Sequence, residues 1–294
     1  MSPMKKKEAR AAYLFLAPSL VLFLVFVFVP LITVVVLSFC KYDIISAPKF
    51  TGPSNYIKLA GDHSLKASAA NTSVMALFSM IFIILIALLL AVLINNRMGR
   101  VTNYFLRLAY FFPVIVSPVY IALIWVEFLA TDTGVINYFL NVVGLPSVAW
   151  LTEVKMATVT IILVEVWRQV GFAMIIFIAG LKSIPVEYYE AASIDGANTV
   201  QATLRITIPL LTPTILFNMI ITTISELKLF AIPNLMTEGG PVDSTRTVAM
   251  YLYQTAFLKF DMGYASTISV LFILVIFVLT ALQMYFSKRW VQYT

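Results

Sequence analysis

Glu165 and Arg168 stand three residues apart inside an apolar run that spans residues 156–181. An ionised side chain at the centre of a membrane-spanning helix costs about 2.5–3.5 kcal/mol, against about 0.3–0.6 kcal/mol recovered per apolar residue. Such residues must therefore face a partner or a polar cavity. Glu165, Arg168, Gln169 and Phe172 fall at i, i+3, i+4 and i+7, which is one face of a helix. A second run, residues 210–230, carries Asn218, Thr222, Ser225 and Glu226 as a comparable polar stripe. Ser117 and Tyr120, near Pro113 and Pro118 in a third run, are candidates to join them. The stripes either line a solute cavity or satisfy one another in helix packing. In the first case carboxylates and Gln169 hydrogen-bond to hydroxyls, and Trp167 or Phe172 lies against an apolar ring face.

Catalysis has no comparable foothold. No nucleophile–base pair or metal constellation stands out. The single cysteine, Cys40, and the single histidine, His63, exclude an intrachain disulfide and a His/Cys metal cluster. His63 lies beside Asp62 in a polar stretch and reads as a solvated loop residue. There is no Gly-Lys pair, so no P-loop to hold nucleotide phosphates.

The elements that position these side chains are membrane spans. Hydrophobic residues make up 61% of the chain and charged residues 12%, where a soluble domain carries about 25% charged. Spanning the hydrocarbon takes about 20 predominantly apolar residues. Six runs qualify: residues 12–39, 72–94, 108–130, 156–181, 210–230 and 262–286. The first is too long for a signal-peptide core and lacks a small-residue cleavage site, so it is expected to be retained. Residues 135–150 are apolar but short, with Gly144 and Pro146, and read as an external amphipathic segment. Segments 1–12, 95–107, 182–209 and 287–294 hold 11 Lys and Arg in 61 positions, while 40–71, 131–155 and 228–265 hold 8 in 95. That asymmetry places both termini in the cytoplasm. It also accounts for the net charge of +6 without nucleic acid.

The loop after the fourth span, residues 182–209, has internal punctuation. Pro185 suits a first helical turn and Glu187 lies near its positive end. Asp195-Gly196 is turn chemistry. Asn198 with Gln201 three residues on forms a capping-box-like pattern before a second helix. Small residues Ala191, Ala192, Gly196 and Ala197 offer a surface that another protein can approach closely. Glu190, Ala191, Ala192, Asp195, Gly196, Ala197, Ile206 and Pro209 meet the pattern of the EAA loop, and in this the chain resembles the permease subunits of binding-protein-dependent ABC importers.

Other segments narrow the resemblance. Met236-Thr-Glu-Gly-Gly-Pro-Val-Asp-Ser-Thr245, followed by Tyr253 and Ala256-Phe257, is similar to an external loop of sugar permeases. Ala17-Pro18-Ser19, Pro30, Ser38-Phe39, Phe50-Thr-Gly-Pro-Ser-Asn-Tyr56 and Asn71-Thr72 resemble the first permease of maltose-type and glycerol-phosphate-type importers, with Gly52-Pro53 where Gly-Leu is usual. The resemblance implies an all-α transmembrane fold, the six-helix type I importer arrangement, in the inner membrane of a prokaryote. Residues 1–71 would form the tail, first span and external loop, 72–286 the core, and 287–294 a cytoplasmic tail. Implied partners are a second permease in a heterodimer, a cytoplasmic ATPase dimer that holds ATP and magnesium, an external solute-binding protein, the sugar and the surrounding lipid. The loop at Glu190 to Ala197 would be the coupling helix that docks on the ATPase.

Glu165, Arg168 and Glu226 sum to a formal charge of −1, which suits a neutral saccharide better than glycerol phosphate. Two rivals are an ion-coupled secondary transporter, suggested by Glu165 and Arg168, and a non-transporting scaffold. The first leaves the EAA loop unexplained, and the second predicts no substrate-dependent stimulation of a partner ATPase.

Overall fold

A computed structural model describes residues 3–97 and 99–292. The ends of the two expected tails, residues 1–2 and 293–294, and Met98 in the segment before the third span lie outside them. The chain runs α1 (Pro3–Phe23), α2 (Val29–Leu37), β1 (Cys40–Lys41), β2 (Lys49–Phe50), α3 (Ser54–Ala60), α4 (His63–Arg97), α5 (Arg100–Ile115), α6 (Pro118–Phe128), α7 (Val135–Val142) and α8 (Val154–Ser183). It continues through α9 (Glu187–Ile194), α10 (Thr199–Ala202), α11 (Ile208–Leu210), α12 (Thr212–Leu227), α13 (Ala231–Met236), α14 (Val248–Tyr253) and α15 (Met262–Ser287). Among the described residues, five helices are long and apolar enough to cross a membrane: Ala12–Leu37, His63–Ile94, Val154–Ser183, Thr212–Met236 and Met262–Ser287.

A bent helix pair makes the sixth candidate, if the pair is counted as one span. Expected as one run over residues 108–130, it is α5 and α6 joined at 99°. Pro118 is the physical cause. Its ring disfavours helical backbone in the residue before it, and Ser117 is accordingly extended at ψ 134°, as is Val116 at ψ 135°. Ser117 then caps α6 by accepting a hydrogen bond from the Val119 amide.

The chain divides into two compact units, one of residues 1–62 and 252–274, the other of 63–251 and 275–294. In the first, the helix Ala12–Leu37 is apolar all round and is not buried inside the unit, as expected of a helix solvated by lipid or a partner chain. β1 and β2 pair antiparallel with Cys40 opposite Phe50. Asn55 Nδ2 donates to the carbonyls of Ser38 and Cys40, and Thr267 Oγ1 donates to that of Ser38. Lys58 pairs with Asp261 at 2.8 Å.

The second unit is built on α4 and α8, the most extensively packed pair. α4 buries a seam at Met75, Ser79, Ile83, Ala87, Ala91 and Ile94, spaced by three or four residues so that it lies on one face. Lipid offers no hydrophobic drive between helices, and close approach over small residues substitutes for it. Gly171 of α8 shows how close: a Cβ there would lie 1.9 Å from the Tyr110 carbonyl oxygen of α5. α12 packs on α4, and the end of α15 is tied to α12 through Gln283 Nε2, which donates to Thr223 Oγ1.

Candidate functional site

The polar stripes converge, although not as one open surface. Glu165 is fully buried on α8. Arg168, one turn on, donates from Nε and from a terminal nitrogen to Glu165 Oε2 at 3.1 and 2.7 Å. Gln169 Nε2 donates to Ser225 Oγ on α12 at 3.1 Å. Asn218 Nδ2 points to the Ala173 carbonyl of α8 at 3.4 Å. Glu226 and Thr222 are buried on the same helix, and Glu226 is close enough to Glu165 and Arg168 for their charges to interact. Glu165 Oε1 and Glu226 Oε2 are buried without a hydrogen-bond partner among the described residues, and Ser79 of α4 is buried beside Glu226. The one guanidinium of the cluster is thus paired with Glu165, in a region where a lone charge is costly.

The other candidates lie elsewhere. Trp167 and Phe172 are exposed on α8, and Trp167 meets Trp125 of α6 edge to face at 5.5 Å. Tyr120 is exposed, and Ser117 is occupied as a helix cap. Glu165, Asn218, Thr222 and Glu226 thus act as packing partners in this conformation. Arg168, Gln169 and Ser225 keep partial exposure. Ser79 has no counterpart in the sequence reading. It is the one hydroxyl between Val74 and Ile94 of α4, and only the packing of that helix brings it to the acids.

The loop 182–209 folds as two short helices with a tight corner. Pro185 stands just ahead of α9 rather than in its first turn. Glu187 and Glu190 occupy that first turn, where carboxylates complement the helix dipole. Gly196 has φ +77°. The Gly196 amide donates to the Ser193 carbonyl and the Ala197 amide to that of Ala192, which together make a Schellman motif. Glycine alone adopts that left-handed φ without strain. Asn198 Oδ1 accepts from the Gln201 amide while Gln201 Oε1 accepts from the Asn198 amide, a complete capping box. Glu190, Ala191, Asp195 and Gly196 are exposed, with Ala192 and Ala197 half-buried. Tyr189, which the sequence did not single out, exchanges a hydroxyl–hydroxyl hydrogen bond with Thr207 at 3.1 Å and ties α9 to the entry of the next span.

A third constellation closes the loop after α13. Thr237 and Thr245 hydroxyls meet at 2.6 Å, and Thr245 Oγ1 donates to the Gly240 carbonyl. Asn71 Nδ2 donates to the carbonyls of Asp243 and Arg246, and Thr72 Oγ1 accepts from the Val248 amide. Asn71-Thr72 and the Gly-Gly-Pro loop are thus one structure.

Apolar helices long enough to cross a membrane, with a capped hairpin between two of them, fit a membrane transport subunit. The chain belongs to the family described as the binding-protein-dependent transport system inner membrane component, which matches residues 83–292. It is 37% identical to the probable ABC transporter permease protein YesP of Bacillus subtilis, over 98% of this chain and 94% of that one. It is 34% identical to the lactose transport system permease protein LacF of Rhizobium radiobacter, over 98% and 97%. A bacterial ABC transporter involved in the import of the acidic polysaccharide alginate contains a chain that superposes with a TM-score of 0.86 at 25% identity, covering 97% of this chain and 98% of that one.

Proposed function

We propose that this chain is one of two permease subunits of an ATP-driven importer that takes a neutral saccharide from an external binding protein into the cytoplasm. The observation that carries the reading is the hairpin 187–202. Its corner is held by local hydrogen bonds alone, and it keeps Glu190, Ala191 and Asp195 exposed. A rigid, exposed helix on a loop between spans is suited to pass motion to a partner that grips it. That partner is a cytoplasmic ATPase dimer, which supplies the ATP and magnesium chemistry. The second permease completes a heterodimer, and the solute cavity lies at the polar cluster of α8 and α12. The lactose permease relative supports a neutral sugar. The formal balance of Glu165, Arg168 and Glu226 supports it too, because like charges repel strongly where water is scarce.

Uptake of labelled oligosaccharide into vesicles holding the complete complex tests this. Accumulation should require ATP and the binding protein, and should survive an uncoupler. Uptake that persists without the ATPase and collapses with the uncoupler would favour an ion-coupled carrier instead. Orientation is tested separately. In a Cys40→Ser background, an impermeant thiol reagent applied to intact cells should label Val242→Cys and spare Ser193→Cys; the reverse pattern would invert the topology.

A further inference from the structure

We infer that the start of α5 and the loop end of α8 form a binding site for the phosphate of an anionic phospholipid headgroup. A pocket of about 550 Å³ lies between them, lined by Val101, Asn103, Tyr104, Arg107 and Lys182. Arg107 and Lys182 bring two positive charges, no carboxylate lines the pocket, and neither residue joins an ion pair among the described residues. Arg107 Nε and Asn103 Oδ1 are buried there without a partner among the described residues. Native packing rarely leaves such groups unpaired unless a ligand or solvent completes them. A guanidinium offers parallel donors that match phosphate oxygens, and Lys182 adds a second cation at the same pocket. α5 adds its own field. It is 16 residues long, and its first turn, next to Val101 and Asn103, contains no acidic residue. Its free amide groups and positive end therefore favour an anion.

The surroundings select a lipid over a free anion. Tyr104, Phe105 and Leu108 are exposed on α5 beside the pocket, an apolar flank for acyl chains with an aromatic ring at headgroup level. The pocket opens at the membrane face from which the hairpin 187–202 leaves, since Lys182 belongs to the last turn of α8. A lipid seated there would brace α5 against α8 at the loop end, about 16 Å along α8 from the Gly171 crossing.

The test is native mass spectrometry of the complete complex titrated with phosphatidylglycerol or with phosphatidylcholine of the same chains. The intact complex should retain phosphatidylglycerol preferentially. Replacing Arg107→Gln and Lys182→Gln should reduce that preference by roughly fivefold per charge removed. The charge-keeping pair Arg107→Lys and Lys182→Arg should preserve most of it, which separates loss of the site from loss of the fold. Equal retention of both lipids, or an unchanged preference in the Gln variant, would overturn the inference. Displacement of phosphatidylglycerol by millimolar inorganic phosphate would assign the pocket to a free anion. A preference seen only in the permease pair, and lost when the ATPase is bound, would assign it to an acidic protein surface.

Discussion

The hairpin 187–202 and the polar cluster of α8 and α12 both carry charge and both lie in the same unit, yet they are built on opposite principles. The corner of the hairpin is held by bonds that reach no further than five residues, such as Ala197 to Ala192 and Gln201 to Asn198, while Tyr189 to Thr207 ties α9 to the next span. It keeps its acids exposed, where water screens them. The cluster is held by bonds between helices, such as Gln169 to Ser225, and its acids are buried. A region that must be recognised by another protein needs only a fixed local shape. A region that tolerates charge inside a membrane needs partners brought from elsewhere in the fold. The two should respond differently to substitution.

The largest effect is expected in the cluster. Arg168→Ala removes the guanidinium that pairs with Glu165 and leaves that carboxylate buried and unpaired. Breaking a buried pair in this way costs about 3–5 kcal/mol. A thermal melt of the purified complex should show a large loss of stability. The double variant Glu165→Leu with Arg168→Met should recover much of it. An unchanged melting temperature for Arg168→Ala would mean that the cluster is solvated and that the contrast with the hairpin is false.

Gly171→Ala comes next. Its Cβ would meet the Tyr110 carbonyl, and overpacking of this kind costs about 1–3 kcal/mol. The melt should fall and protease access to the residues around Ser117 should rise. Wild-type values for both would show that α5 moves aside freely.

In the hairpin the effects on stability should be small and those on function large. Gly196→Ala meets no atom within 4 Å, so its only penalty is the left-handed φ, about 1–2 kcal/mol. The bundle should melt as wild type while ATP hydrolysis loses its response to the binding protein. Asn198→Ala removes half of the capping box, about 1 kcal/mol, and should weaken that response without abolishing it. A fall in the melting temperature as large as that of Arg168→Ala would show that the hairpin belongs to the folded core.

The same division decided what could be read from the chain. The caps at Asn198 and Gln201 and the turn at Gly196 were legible because each signal lies within one turn of what it controls. Spans were legible from apolar length, and the charges in the fourth from their cost. The break at Ser117 had a local signal in Ser117-Pro118, but the apolar count across residues 108–130 outweighed it. Partner choice was not legible: nothing local joins Asn71 to the carbonyl of Asp243, or Ser79 to Glu226. Exposure was not legible either: helical spacing puts Phe172 on the face of Glu165, yet Phe172 is exposed while Glu165 is buried.

The central claim is that the exposed hairpin couples this chain to an ATPase. Binding-protein-stimulated ATP hydrolysis by the reconstituted complex, with Gly196→Pro and separately with Glu190→Lys, tests it most directly. Both variants should insert, pair with the second permease and melt as wild type. Stimulation should be lost, because proline cannot adopt the φ of +77° at the corner and a reversed charge is poorly tolerated in a helix seated in a groove. Full stimulation in both variants would contradict the account.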